Sequence, residues 1–261
     1  MIVNLWRYRG FIARNALADV RYRYAGSAMG VAWNVVNPLA QILIYSLVFS
    51  QIMAARLPGG GRGATFALYL CAGLLPWAAF SECVARGANA FIENAPYLKK
   101  LPIPEQVFVA QNAASATVFL GIAMTLLAAV SVVAGGPVSA AWLGVPAVLL
   151  LFQGFGFGLG LLASTLNVFV RDVGQVLGLV LQLWMWLTPV VYVEDILPAS
   201  ARALLRYNPA YPFIDALHRM IVAGQWPPPG SWVLMLAWAL AAPAAGYLVL
   251  RRLRPEIRDV L

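Results

Sequence analysis

Few residues in this chain are equipped for covalent or metal chemistry. Its 261 residues include one histidine, His218, two cysteines, Cys71 and Cys83, and two lysines, Lys99 and Lys100. No Gly-x-x-x-x-Gly-Lys-Ser/Thr run is present, so the chain has no P-loop to cradle nucleotide phosphates. His218 follows Asp215 by three residues, a helical spacing that reads as a surface pair on an external amphipathic helix. With no second histidine, metal and triad sites are not expected. Cys71 and Cys83 share one apolar stretch. On a helix they would stand about 18 Å apart, beyond disulfide reach, and they read as small buried residues. Glu82 and Arg86 are spaced for an i,i+4 ion pair. Ion-coupled carriers rely on carboxylates inside their spans, and Glu82 is the one candidate.

What is plentiful is aromatic, arginine and apolar surface. Hydrophobic residues make up 62% of the chain and charged residues 11%, against about a quarter charged in soluble domains. Charge is absent from 24–55, 63–81, 106–170, 173–193 and 220–250. A helix crossing the hydrocarbon needs about 20 apolar residues, and helices satisfy their own backbone in lipid. Gly135-Gly136-Pro137 divides the longest gap, and the proline-rich run 224–230 cannot be helix interior. The reading is an all-α polytopic membrane protein with six spans: 31–54, 65–85, 106–134, 142–169, 173–193 and 232–250. The first 25 residues lack the apolar run of a signal peptide.

Six spans put both termini on one side. Arg7, Arg9, Arg14, Arg21, Arg23, Arg86, Lys99, Lys100, Arg171, Arg251, Arg252, Arg254 and Arg258 then share that side, against Arg56, Arg62, Arg202, Arg206 and Arg219 opposite. The bias makes the first side cytoplasmic. It also accounts for most of the net charge of +8 without invoking nucleic acid.

Residues 1–25 interleave arginines with Leu5, Tyr8, Phe11, Ile12, Val20 and Tyr24, as an interfacial amphipathic helix or a simple topogenic anchor would. The first span carries Asn34, Asn37, Gln41, Tyr45 and Ser46, polarity suited to a cavity or a helix interface. Between the second and third spans, 89–98 fits a short cytoplasmic helix, ended by Lys99-Lys100-Leu101-Pro102-Ile103-Pro104. Such a helix is a handle for a soluble partner, or an ordinary loop. Gly154, Gly156, Gly158 and Gly160 form two interleaved small-residue pairs on opposite faces of the fourth span. Beyond the fifth span, 199–206 and 213–223 read as two short external helices, either closing a pore or decorating a surface.

Several segments taken in order carry a resemblance. They are Arg21-Tyr22-Arg23-Tyr24-Ala25-Gly26-Ser27, Asn37-Pro38-Leu39, Gly73-Leu74-Leu75-Pro76-Trp77, Glu93-Asn94-Ala95 with Leu98-Lys99-Lys100, Arg171-Asp172-Val173, Thr188-Pro189-Val190-Val191-Tyr192, and Asn208-Pro209 before Asp215 and Arg219. The set spans nearly the whole chain and resembles the permease subunits of ABC exporters of O-antigen, capsular and teichoic acid polysaccharides.

The resemblance implies a homodimer forming one channel in the bacterial inner membrane. It implies two separate ATPase subunits that hold ATP and magnesium, no cofactor in this chain, and a polysaccharide cargo on undecaprenyl pyrophosphate. By the same resemblance, 1–25 is the interface helix, 89–100 the coupling helix and 194–223 the external gate helices. Coupling contacts would come from Asn89, Phe91, Glu93, Asn94, Tyr97, Leu98, Lys99 and Lys100. Aromatic faces suit the apolar C–H faces of sugars, so Trp33, Tyr45, Phe49, Trp184, Trp186 and Tyr192 are the candidate channel contacts, with membrane-interface belts as the alternative. Arginine pairs bidentately with phosphate, which selects Arg14, Arg21 and Arg23 for the lipid pyrophosphate. A permease of the same fold exporting drugs or other lipids is the competing reading. One departure stands out: Pro104-Glu105-Gln106 occupies a position where many relatives have Pro-Arg-Glu.

Overall fold

The computed structural model describes residues 1–53, 63–133 and 139–260, apart from the side chains of 49–53, 63–65, 258 and 259. Its elements are helical throughout the described residues. Two short helices, α1 (Ile2–Arg7) and α2 (Arg9–Tyr22), precede α3 (Trp33–Met53) and the long α4 (Gly63–Glu93). Then come α5 (Ala95–Lys100), α6 (Gln106–Val133), α7 (Val145–Phe169) and α8 (Val173–Leu187). Two further short helices, α9 (Ala199–Leu205) and α10 (Tyr211–Ile221), lead to α11 (Pro229–Val260). The bundle has a near end, carrying α1, α2, α5 and the last turns of α11, and a far end, carrying α9 and α10.

Five helical stretches are long and apolar enough to cross a membrane: Gly30–Val48, Phe66–Glu93, Gln106–Val133, Ala140–Phe169 and Pro229–Ile257. The expected span 173–193 differs. Its helix stops at Leu187 after 15 residues, about 22 Å of rise. Pro189 explains the stop, because it drives the preceding residue out of the helical region, and Thr188 is extended at φ −110° and ψ 137°.

The expected interface helix is two pieces, broken at Tyr8. The expected helix over 89–98 also changes shape. The second span does not end near residue 85; α4 continues to Glu93 and carries Asn89, Phe91 and Glu93 with it. A continued helix would drive the Pro96 ring into the Ile92 carbonyl. The chain instead breaks at Asn94, whose Nδ2 donates to Ala90 O at 2.8 Å, and restarts as α5 with Pro96 in its first turn.

The glycines of α7 seat it between two neighbours. Gly154 and Gly158 face α11, where a Cβ on Gly246 would lie 2.8 Å from Gly158 O. Gly156 and Gly160 face α4, where a Cβ on Gly87 would lie 2.8 Å from Gly160 Cα. The expected two-faced packing is present, with α4 on one side and α11 on the other.

Two apolar cores result. The larger holds Trp77, Phe80, Phe152, Phe155 and Phe213, with Phe80 stacked on Phe152 at 4.3 Å. The smaller lies at the near end and gathers five helices: Phe91 of α4, Leu98 of α5, Phe108 of α6, Val168 of α7, and Leu250 and Ile257 of α11. Met1, Leu5 and Phe11 pack on it from α1 and α2. Cys71 and Cys83 are free and buried, as expected.

Candidate functional site

At the near end α2 is tied to α4 and α6 by a knot of charge. Asp19 of α2 lies one turn before Arg23, the residue that caps the helix, and Glu82 and Arg86 lie one turn apart on α4. Arg86 Nη1 lies 2.7 Å from Asp19 Oδ2 and 3.3 Å from Glu82 Oε1. Arg23 pairs with Glu82 across the helices and stacks over the Phe119 ring at 3.7 Å. Ser115 of α6 donates to Asp19. Burial pushes the Asp19 carboxyl up, but the hydrogen bonds from Arg86 and Ser115 and the two arginine charges outweigh it and hold it below the ordinary carboxylate range.

The expected Glu82–Arg86 pair is therefore half of a four-charge network. Asp19 and Ser115 were not singled out from sequence. Asp19 could have been found from its i,i+4 spacing to Arg23, whereas Ser115, inside an uncharged stretch, gives no such signal.

This network divides the three arginines expected to meet phosphate. Arg14 and Arg21 are exposed. Arg23 is engaged with carboxylates at Glu82 and, at 3.6 Å, Asp19.

The coupling candidates divide too. Phe91 and Leu98 are buried in the near-end core and anchor α5 from behind. Glu93, Tyr97, Lys99 and Lys100 are exposed, with Tyr97 at 57%. Asn94 forms the hinge, and Asn89 Nδ2 donates to Ala85 O at 3.1 Å within α4.

At the far end the break after α8 is clamped by Asn208. Its Oδ1 accepts from Trp184 Nε1 at 2.8 Å, and its Nδ2 donates to Thr188 Oγ1 at 2.9 Å. Tyr69 of α4 donates to Tyr192 O at 2.8 Å, and Tyr211 donates to Glu194 Oε2 at 2.6 Å. These ties hold segment 188–194 against α4 and α10.

The expected Asp215–His218 surface pair is not formed. Asp215 is instead held by Arg219, whose Nε donates to both carboxylate oxygens at 3.0 and 2.8 Å. His218 is 8% exposed, stacked on Tyr69 at 3.7 Å, with Nε2 3.1 Å from Tyr69 O. Burial pulls the His218 imidazole down to about 3, the Tyr69 carbonyl opposing it. The helix is amphipathic as expected, but its histidine lies on the inner face beside Ile214, Leu217 and Ile221.

Among the described residues the aromatic candidates do not form one cluster within the chain. Trp184 is wedged edge-on against Trp77, Phe80 and Phe155 at 5.9, 5.9 and 6.1 Å. Trp186 projects from the opposite side and is 57% exposed. Tyr192 donates to Trp186 O at 3.1 Å. Tyr45 packs on the larger core, and Trp33 lines a small cavity beside Arg23 and Glu82. The side chain of Phe49 lies outside the described residues.

Long apolar helices with ionic groups gathered toward the two ends define a polytopic helical membrane protein. Residues 15–222 match the ABC-2 type transporter family, and the chain belongs to it. Its relatives include the O-antigen export system permease protein RfbA of Klebsiella pneumoniae, 29% identical over 207 residues, which is 79% of this chain and 78% of the relative. RfbA of Myxococcus xanthus is 28% identical over 250 residues, 93% and 94% of the two chains. The polysialic acid transport protein KpsM of Escherichia coli is 24% identical over 112 residues, 42% of each.

Proposed function

We propose that the chain is the permease subunit of an ATP-driven exporter that moves undecaprenyl-pyrophosphate-linked polysaccharide of the O-antigen type across the bacterial inner membrane. Two copies form the channel, and two separate ATPase subunits, which hold ATP and magnesium, dock on the near end. Six spans, with α8 and segment 188–193 as the fifth, leave both termini in the cytoplasm. The relatives' names support the cargo class.

The observation that carries the coupling part is the build of α5. Leu98 roots the helix in a core shared with α1, α2, α4, α6, α7 and α11, while Tyr97, Lys99 and Lys100 point outward. A push on that exposed face moves a rooted lever and not a loose loop. Because α4 runs unbroken from Gly63 to Glu93, the push reaches the Tyr69–His218 contact at the far end.

In this reading α9 and α10 form the external gate. Arg14 and Arg21 meet the pyrophosphate from α2, and Arg23 positions α2 through Glu82. Trp186 offers a stacking face to the glycan once two copies enclose a channel. Trp184 supports it from within the protomer.

The test is co-purification of the tagged chain with the ATPase encoded beside it, followed by ATP hydrolysis in nanodiscs. The expected result is a stable complex of two permease and two ATPase subunits whose rate responds to lipid-linked polysaccharide. A chain that purifies without an ATPase overturns the reading.

A further inference from the structure

Between α2, α5 and α6 lies a cavity of about 410 Å³. Its size falls at the low end for small-molecule sites, which run from about 300 to 1,000 Å³. It has room for a monosaccharide or disaccharide, not for a polymer.

The walls are rich in neutral polar groups. Four carboxamides face the cavity: Asn15 of α2, Asn94 at the hinge before α5, and Gln111 and Asn112 of α6. Each makes one side-chain hydrogen bond to the protein, of the four a carboxamide can make. Asn15 Nδ2 donates to Gln111 Oε1 at 3.2 Å, Asn112 Nδ2 to Arg86 O at 3.0 Å, and Asn94 Nδ2 to Ala90 O at 2.8 Å. That leaves the Oδ1 acceptors of Asn15, Asn94 and Asn112 and the Nε2 donor of Gln111 without a partner among the described residues. Asn112 is 5% exposed, so its acceptor is held in place by packing.

Phe11 of α2 and Tyr97 of α5 supply aromatic surface to the same walls. The two ionic groups on the wall, Asp19 and Arg86, are 2.7 Å apart and neutralise each other. The cavity therefore offers fixed neutral donors and acceptors beside aromatic faces, with no net charge to recruit an ion. Vicinal sugar hydroxyls both donate and accept, as carboxamides do, and the C–H face of a pyranose is apolar.

We propose that this cavity binds an uncharged sugar unit of the exported glycan, at the end next to the lipid pyrophosphate. The proposal rests on the export reading. The exposed Arg14 adjoins Asn15 on α2, so a pyrophosphate held by that helix would bring its first sugars near a cavity whose wall includes Asn15 and the exposed Tyr97.

The experiment is saturation-transfer NMR on the purified permease–ATPase complex in nanodiscs. The probes are methyl glycosides of glucose, mannose, galactose, rhamnose and N-acetylglucosamine, with glucuronic acid and glycerol 3-phosphate as charged comparisons. The expected result is saturable binding of at least one uncharged glycoside and of neither anion. Gln111→Ala weakens it about fivefold or more, the loss of roughly one net hydrogen bond. Asn112→Ala does the same, but it also removes the tie to the α4 backbone at Arg86 O, whereas Gln111→Ala frees only the Asn15 side chain, so the Gln111 variant is the decisive one. Failure of every uncharged glycoside to saturate, preference for glycerol 3-phosphate as for a phospholipid headgroup, or unchanged affinity in Gln111→Ala overturns the proposal. Complex formation and ATP hydrolysis are read on the same samples, so a failed sugar site is distinguished from a failed export reading.

Discussion

Arg254 reaches from the last turns of α11 to place Nη2 2.9 Å from Oε2 of Glu105, a carboxylate only 1% exposed. Glu105 lies in the Pro104-Glu105-Gln106 turn, and Arg254 comes to it from 149 positions further on. The pair fastens the C-terminal helix to the turn that follows α5. Arg254→Ala removes this guanidinium from the buried carboxylate. The destabilisation should be somewhat below the ~3–5 kcal/mol of a fully buried pair, because the arginine side chain is 37% exposed. Pairing it with Glu105→Gln should restore most of the loss. Thermal melting in detergent of the two single variants and the double variant measures this. Equal melts for wild type and Arg254→Ala would remove the clamp.

Gly158 and Gly154 lie one turn apart on the same face of α7, yet they should respond differently to alanine. At Gly154 the nearest atoms to a new Cβ are 3.9 Å away on Ala239, so Gly154→Ala is tolerated. At Gly158 the Cβ would run into the backbone at Ala242 and Pro243 of α11. Overpacking of this kind costs about 1–3 kcal/mol. The measurement is the yield of folded protein by size-exclusion chromatography, together with the melt of each variant.

Trp184 and Trp186 should separate stability from transport. Trp184→Ala removes a partly buried ring packed on the larger core and its bond to Asn208, a loss below the ~3–5 kcal/mol of a fully buried aromatic. Trp186→Ala leaves the melt nearly unchanged and slows export of long polymer. A melt lowered equally in both variants, with export intact for Trp186→Ala, would refute the assignment.

His218 gives α10 an acid sensitivity. Its folded-state value of about 3 lies below the ordinary 6.5. The stability due to the neutral imidazole is thus complete above the unfolded value and declines as pH falls from about 6.5 toward 3, by up to ~1.4 kcal/mol per unit. Asp215 opposes this in the lower part of the window. Burial lifts its carboxyl above the usual range against the pull of Arg219, so its desolvation is relieved on protonation. Melting of wild type and His218→Gln between pH 7 and 4 is the comparison. The wild type should lose more across the upper part of that range, and parallel curves would refute the claim.

Much of the architecture was legible because its causes are local. Charge-free stretches of span length are set by composition. Pro96 and Pro189 stop helices through their own rings, although the sequence reading runs helix through both, over 89–98 and 173–193. The glycine pairs of α7 announced close neighbours on two faces, because helical spacing alone decides which residues share a face.

The pairing of distant side chains was not legible. Periodicity identified Glu82 with Arg86 but could not say that α2 would lie across them, so Asp19 went unnoticed and Arg23 was assigned to phosphate. It identified α10 as amphipathic but left His218 outside, because stacking on Tyr69, 149 residues earlier, depends on how α4 and α10 meet. By itself the sequence determined an all-helical chain of span-length apolar segments, their breaks and their charge bias, since lipid solvation and backbone sterics act residue by residue. Only the tertiary structure decided which arginine stays free, which tryptophan is core, and where four carboxamides converge, since those outcomes depend on helices packing across many turns.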